Sequence, residues 1–108
     1  MPYDAPLYQR LHAALHERPG ITEKKMFGSY CWLLGGNMLC GVEVGRYLFR
    51  VGRDLEAQAL ARPGATPMIH AGRRMGGFVW VAAEHADGDA LQEWIALATR
   101  FVGKLPIK

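Results

Sequence analysis

YCWLLGGNMLCGVEVGRYLFRV, residues Tyr30–Val51, holds three apolar runs parted by Gly35-Gly36 and by Val44-Gly45. Two glycines between runs of strand formers suit a two-residue hairpin turn, because such turns need positive φ. The stretch therefore reads as an antiparallel meander: Tyr30–Leu34, Asn37–Val44 and Arg46–Val51. A turn at Gly35-Gly36 pairs Leu34 with Asn37 and, by strict alternation, sets Cys31 opposite Cys40. A turn at Val44-Gly45 pairs Glu43 with Arg46 and Val42 with Tyr47. One face then carries Cys31, Leu33, Met38, Cys40, Val42, Tyr47, Phe49 and Val51, and should meet the helices. The other carries Trp32, Leu34, Leu39 and Leu48, ringed by Asn37, Glu43, Arg46 and Arg50. An apolar centre inside a polar rim is how binding surfaces are commonly built. Trp32, Leu34, Leu39, Leu48 and Arg50 are thus the expected protein interface, for a partner or for a second copy in a homodimer.

The flanks supply the other elements. Leu7, Leu11, Ala14 and Leu15 recur at helical spacing within Ala5–Arg18, and Pro19-Gly20 ends that helix. Ile21–Phe27 comes next, ahead of Tyr30–Leu34, in a stretch rich in strand formers. Asp54 is placed as the cap of a helix reaching Ala61. Met68–His70 and Gly77–Val81 read as two short strands. After an Asp87 or Asp89 cap, Leu91, Trp94, Ile95, Ala98, Phe101, Val102 and Leu105 form a long apolar stripe. The expected class is α+β: a two-layer helix and antiparallel-sheet domain in the order α-β-β-β-α-β-β-α, spanning residues 1–108 as one unit.

Composition excludes several classes. The chain has 108 residues, half of them hydrophobic, with 13 Lys and Arg against 10 Asp and Glu. A net charge of +3 is too small to argue for nucleic acid by itself. No apolar run approaches the ~18 residues of a membrane span, and the N-terminus lacks the apolar core of a signal peptide. A cytoplasmic protein with no membrane contact is expected. No Gly-x-Ser-x-Gly, phosphate-binding glycine loop or His-Glu-x-x-His is present, and the carboxylates are scattered. The expectation is a protein that is not an enzyme and carries no cofactor.

Three side-chain groups call for a reading. Cys31 and Cys40 are read as reduced, buried and adjacent across the hairpin. His12 and His16 stand four apart on the first helix, but they lie off its leucine stripe, away from the cysteines, so no metal is assigned. Finally, one plan occurs twice. TEKKMFGSYCWLL (Thr22–Leu34) and GRRMGGFVWV (Gly72–Val81) each set a basic pair and a methionine before a glycine and an apolar run. If the two strands are neighbours, Lys24, Lys25, Arg73 and Arg74 cluster at one sheet end. That cluster would bind phosphate or an acidic partner, and at most weakly a nucleic acid. If each pair instead splits between the two faces, the cations are solvated edge charges; either way the doubled plan is first a folding device.

KKMFGSYCWLLGGNMLCGV, GRYLFRVG, LARPGATPM, GRRMGGFVWV and LQEWIALATRFVGKLP together resemble the TfoX/Sxy N-terminal domain family over roughly Pro19 to Pro106. The most specific markers are Lys25-Met26-Phe27-Gly28, Asn37-Met38, Pro67-Met68, and Gly72-Arg73 with Met75 and Gly77. The family more often has Gly at Ser29, Pro at Arg74 and Lys at Gly76. The resemblance implies a two-layer α+β fold similar to that of secretion chaperones. It also implies a regulator, in full-length members of natural competence, working with a catabolite-activator-type transcription regulator as protein partner. Those members carry a second, helical C-terminal domain; this chain is expected to be the N-terminal unit alone.

Overall fold

The computed structural model describes residues 4–26 and 28–108. In chain order the elements are α1 (Ala5–Leu15), β1 (Ile21–Met26), β2 (Ser29–Leu34), β3 (Asn37–Glu43), β4 (Arg46–Arg50), α2 (Arg53–Leu60), β5 (Ala65–His70), β6 (Arg73–Ala82) and α3 (Asp89–Val102). A 3₁₀ turn, Ala83–His85, precedes α3. The six strands form one antiparallel sheet in the order β1-β2-β3-β4-β6-β5. The α+β class read from sequence is the class observed, with four strands rather than three ahead of α2. The extra strand is β1, which the turn at Gly28, with a φ of +78°, makes the hairpin partner of β2. Phe27, the last residue of the expected Ile21–Phe27 segment, lies outside the described residues.

Other boundaries shift for local reasons. β5 and β6 extend beyond the short strands expected, because they pair with each other up to the Ala71-Gly72 turn. Asp54 and Asp89 lie inside the first turns of α2 and α3 and cap neither; Gly52 and Gly88 hold the cap positions. There the two carboxylates face the positive end of each helix dipole.

The core lies on one face of the sheet. Trp32, Cys40, Phe49 and Val79 are successive cross-strand partners and are wholly buried. All three helices contribute to the same cluster: Leu7, Leu11 and Leu15 from α1, Ala59 from α2, and Leu91, Trp94, Ile95, Ala98 and Val102 from α3. Phe49 stacks on Trp94 with ring centroids 5.6 Å apart.

That core overturns the expected sheet register. Both turns hold: Leu34 faces Asn37, Glu43 faces Arg46, and Val42 faces Tyr47. Between Trp32 and Leu33 the pairing shifts by one, since Leu33 faces Met38 while Trp32 faces Cys40. Leu39 is the extra residue of a β-bulge, in which two residues of one strand oppose one of the other. Leu39 (1 % exposed) and Cys40 (0 %) therefore both enter the core. Beyond the bulge the faces exchange on β2. Trp32 is buried, and Cys31 pairs with Gly41 on the opposite face. Three of the expected interface residues are thereby corrected. Trp32 and Leu39 are core residues, and Leu34 packs against the core rather than facing outward. Leu48 remains on the face that no helix covers, whereas Arg50, at the end of β4, sits beside Phe101 of α3.

The bulge can be tested by truncating two adjacent side chains. Leu39→Ala is expected to cost about 2–5 kcal/mol, the range for emptying a buried leucine site. Met38→Ala, on the open face, should cost about 1 kcal/mol or less. Chemical denaturation of the two variants measures both. An unbulged strand reverses the order.

Candidate functional site

The open face of the sheet holds a hollow of about 220 Å³ lined chiefly by Met26, Cys31, Met38, Leu48, Met68 and Trp80. Its floor is Gly41. A Cβ built there comes within 3.5 Å of both Cys31 Cβ and Met38 Cε, so a side chain at this position would begin to fill the hollow. Cys31, Gly41, Leu48 and Trp80 are consecutive cross-strand partners, which makes this row the outward counterpart of the core row beside it. Met26 comes from the edge strand β1 and Met68 from the opposite edge strand β5. For both to line one hollow, the sheet must curl over its open face. The two register shifts, at Trp32/Leu33 and at Pro67/Ile69, are the kind of irregularity that adds such curvature.

The lining is soft and almost wholly apolar. The Cys31 thiol donates to Met26 Sδ at 3.3 Å. Burial pushes the Cys31 thiol up in pKa, and the Lys24 ammonium, across the β1–β2 pair, works against that shift. Burial also holds the Cys40 thiol well above its ordinary value, inside the core. The expected adjacency of the two cysteines is corrected by the bulge: they point to opposite faces of the sheet, where no bridge between them is possible. At the rim, Arg46 donates to Glu43 Oε1 at 2.7 Å, and its guanidinium carbon lies 3.7 Å from the Trp80 ring centroid. Arg50, at the end of β4, sits 5.5 Å from the rings of both Phe78 and Phe101.

The four cations of the doubled motif do not come together as strand neighbours. Lys24 and Lys25 lie on β1; Arg73 and Arg74 lie on β6, and β2, β3 and β4 stand between them in the sheet. Arg74 is also engaged. It donates to Glu56 Oε2 from Nε and Nη2 at 3.2 and 3.0 Å, while Glu56 Oε1 accepts the Gly77 backbone N–H at 3.0 Å. Gly77 has a φ of +85°, and a Cβ there would meet the Gly52 backbone at 3.0 Å. The second copy of the motif thus clamps the start of α2 to β6, while its Met75 is exposed and anchors nothing in the core.

The histidines are explained in the same way. Tyr8, His12 and His16 stack along α1, with centroids 5.7 and 4.7 Å apart. Glu23 of β1 accepts from Tyr8 Oη at 2.7 Å and pairs with His12 Nδ1 at 3.1 Å. These contacts fasten α1 to the edge of the sheet. Among the described residues no three His, Cys, Asp or Glu side chains converge to hold a metal ion. A further hollow of about 400 Å³ lies between α2 and the end of α3, lined by Asp54, Leu55, Arg100, Phe101 and Lys104 among others. Among the described residues no helix is long and apolar enough to cross a membrane.

Three helices on one face of a curled antiparallel sheet, with an apolar hollow on the other, define a small α+β domain with one uncovered sheet face. The family model of the TfoX N-terminal domain matches residues 13–102, and the chain belongs to that family. No curated protein and no solved structure matches it significantly.

The clamp at Glu56 has a pH signature. The Gly77 N–H and the Arg74 guanidinium both favour the carboxylate and lower its pKa in the folded state. Its contribution is therefore complete above the ordinary glutamate value, about 4.3, and is lost as pH falls through the lower folded value. Glu56→Gln is expected to destabilise the domain by about 1 kcal/mol at neutral pH. In urea denaturation from pH 7 to pH 3, that gap should close on the acid side.

Proposed function

We propose that this domain acts without catalysis, by docking a protein partner in the methionine-lined hollow of its open sheet face. The observation that carries the reading is the hollow itself: an apolar cleft on a face that no helix of the domain covers. Methionine suits this use, because its unbranched, polarisable side chain repacks against differently shaped partners. The rim indicates the partner's chemistry. Lys24 shares the face with Cys31, and the acid-paired Arg46 lies across the sheet beside Trp80. The fitting occupant is an apolar side-chain plug flanked by acidic residues. Family membership supports a regulatory or accessory role, with transcription regulation, and competence in particular, as the role the family suggests and a transcription regulator as the partner. Direct nucleic-acid binding through Lys24, Lys25, Arg73 and Arg74 has less support, since Arg74 is committed to Glu56 and the two pairs sit on separate strands.

A photo-crosslinker at Met68, beside the hollow, is expected to trap one discrete protein in living cells of the native host. The adduct should vanish with Leu48→Glu and should not form when the crosslinker is moved to Gln58, exposed on α2. The trapped protein, once purified, should bind the wild-type chain and not Leu48→Glu. Trapping that ignores Leu48→Glu refutes the docking face. A trapped second copy of the chain identifies the hollow as a dimer seat instead.

A further inference from the structure

Three of the five methionines and one of the two cysteines face the same small hollow. Met26, Cys31, Met38 and Met68 come from four different strands, and the bulge and the curl of the sheet bring all four to the lining of this hollow. Cys31 Sγ and Met26 Sδ already stand 3.3 Å apart. The geometry points to a binding site for a soft monovalent metal ion, Cu(I), held by the Cys31 thiolate and by the thioethers of Met26, Met38 and Met68.

Donor chemistry selects the ion. Thiolate and thioether sulfurs favour Cu(I), whereas Mg²⁺ and Ca²⁺ demand oxygen ligands. Thioethers are neutral, so one thiolate and one monovalent cation leave no net charge in an apolar hollow. A divalent ion there would retain an unpaired positive charge at high desolvation cost. With metal–sulfur bonds of about 2.3 Å, two sulfurs sharing an ion sit about 4 Å apart. The required outward step from 3.3 Å is small for Met26, which has three rotatable bonds. Gly41 leaves room above the floor. On binding, the Cys31 S–H bond breaks, an S–Cu bond forms and the proton passes to water; no electron is transferred. Met75 is exposed and does not line the hollow, which makes it an internal control.

The test is a competition on the purified full chain, without any partner, so it stands or falls separately from the docking reading. Cu(I), kept reduced under ascorbate without oxygen, is titrated against the chromogenic chelator bicinchoninate. The wild type should retain one equivalent. Cys31→Ser should weaken retention by at least about tenfold, and Met26→Leu, Met38→Leu and Met68→Leu together should abolish it. Met75→Leu should leave it unchanged. Leucine nearly conserves methionine volume, so the triple variant should keep its fold, with circular dichroism as the check. If Cys31→Ser fails to fold, the wild type alone decides. In methyl-labelled spectra, Ag(I) as a redox-inert substitute should shift the Met26, Met38 and Met68 methyls and leave Met75 in place. Failure to retain Cu(I), retention that survives the triple substitution, or a silver shift shared by Met75 overturns the site.

Discussion

One extra residue in β3 governs this molecule. Side chains alternate along a strand, so a single inserted residue exchanges the faces of everything beyond it. With Leu39 as that residue, Trp32, Leu39 and Cys40 all reach the helices, and the core row Trp32–Cys40–Phe49–Val79 becomes continuous across four strands. The same insertion turns Cys31 and Met38 outward. Without it, the largest apolar side chain of β2 would face away from every helix, while a cysteine and a methionine occupied the space under Trp94. Packing decides the matter. A buried tryptophan removes far more apolar surface from water than a buried cysteine, at roughly 25 cal/mol per Å².

Much of the architecture is legible in the chain because it rests on strong local signals. Gly35-Gly36 and Val44-Gly45 fix both hairpins, and the stripe of α3 fixes which helix face is buried. The bulge is different in kind. Nothing in a one-dimensional alternation marks where an extra residue enters. The available sign is a consequence: the unbulged register leaves Trp32 and Leu39 exposed while it buries Met38. The unbulged register puts Trp32, Leu34 and Leu39 on the wrong side of the sheet, while Leu48 faces outward in either register. The hollow went unseen for a related reason. Met26 and Met68 are distant in sequence and belong to opposite sheet edges, so only the curl of the folded sheet brings them together.

The doubled motif separates into two uses of one local pattern. In both copies a positive-φ glycine lets the backbone turn where a side chain would be strained: Gly28 before β2, Gly77 within β6. In the second copy the turn is also crowded. Gly77 lies against the Gly52 backbone, its carbonyl accepts from both Val51 and Gly52 N–H groups, and its own N–H reaches Glu56. The arginine that follows Arg73 is thereby drawn into an intramolecular pair. A basic pair in sequence is a charge pattern; whether it is a site depends on which carboxylate the fold brings to it.

The two faces of the sheet meet opposite demands with related residues. On the covered face, branched and aromatic side chains fill fixed spaces against three helices, where shape must match closely. On the open face three methionines, a cysteine and a glycine floor join Leu48 and Trp80 in the lining, and the thioether side chains among them adapt readily. A face built only to be covered by its own helices has no need of such softness. A face left open to water gains nothing from apolar side chains unless something else covers it part of the time. The sulfur-rich lining fits both proposed occupants, since a thioether would accommodate a partner's side chain by changing rotamer and a soft ion by offering a lone pair. The curl that gathers Met26 and Met68 limits how much of this surface water meets, so the domain keeps an apolar face uncovered by helices without exposing it as a flat sheet.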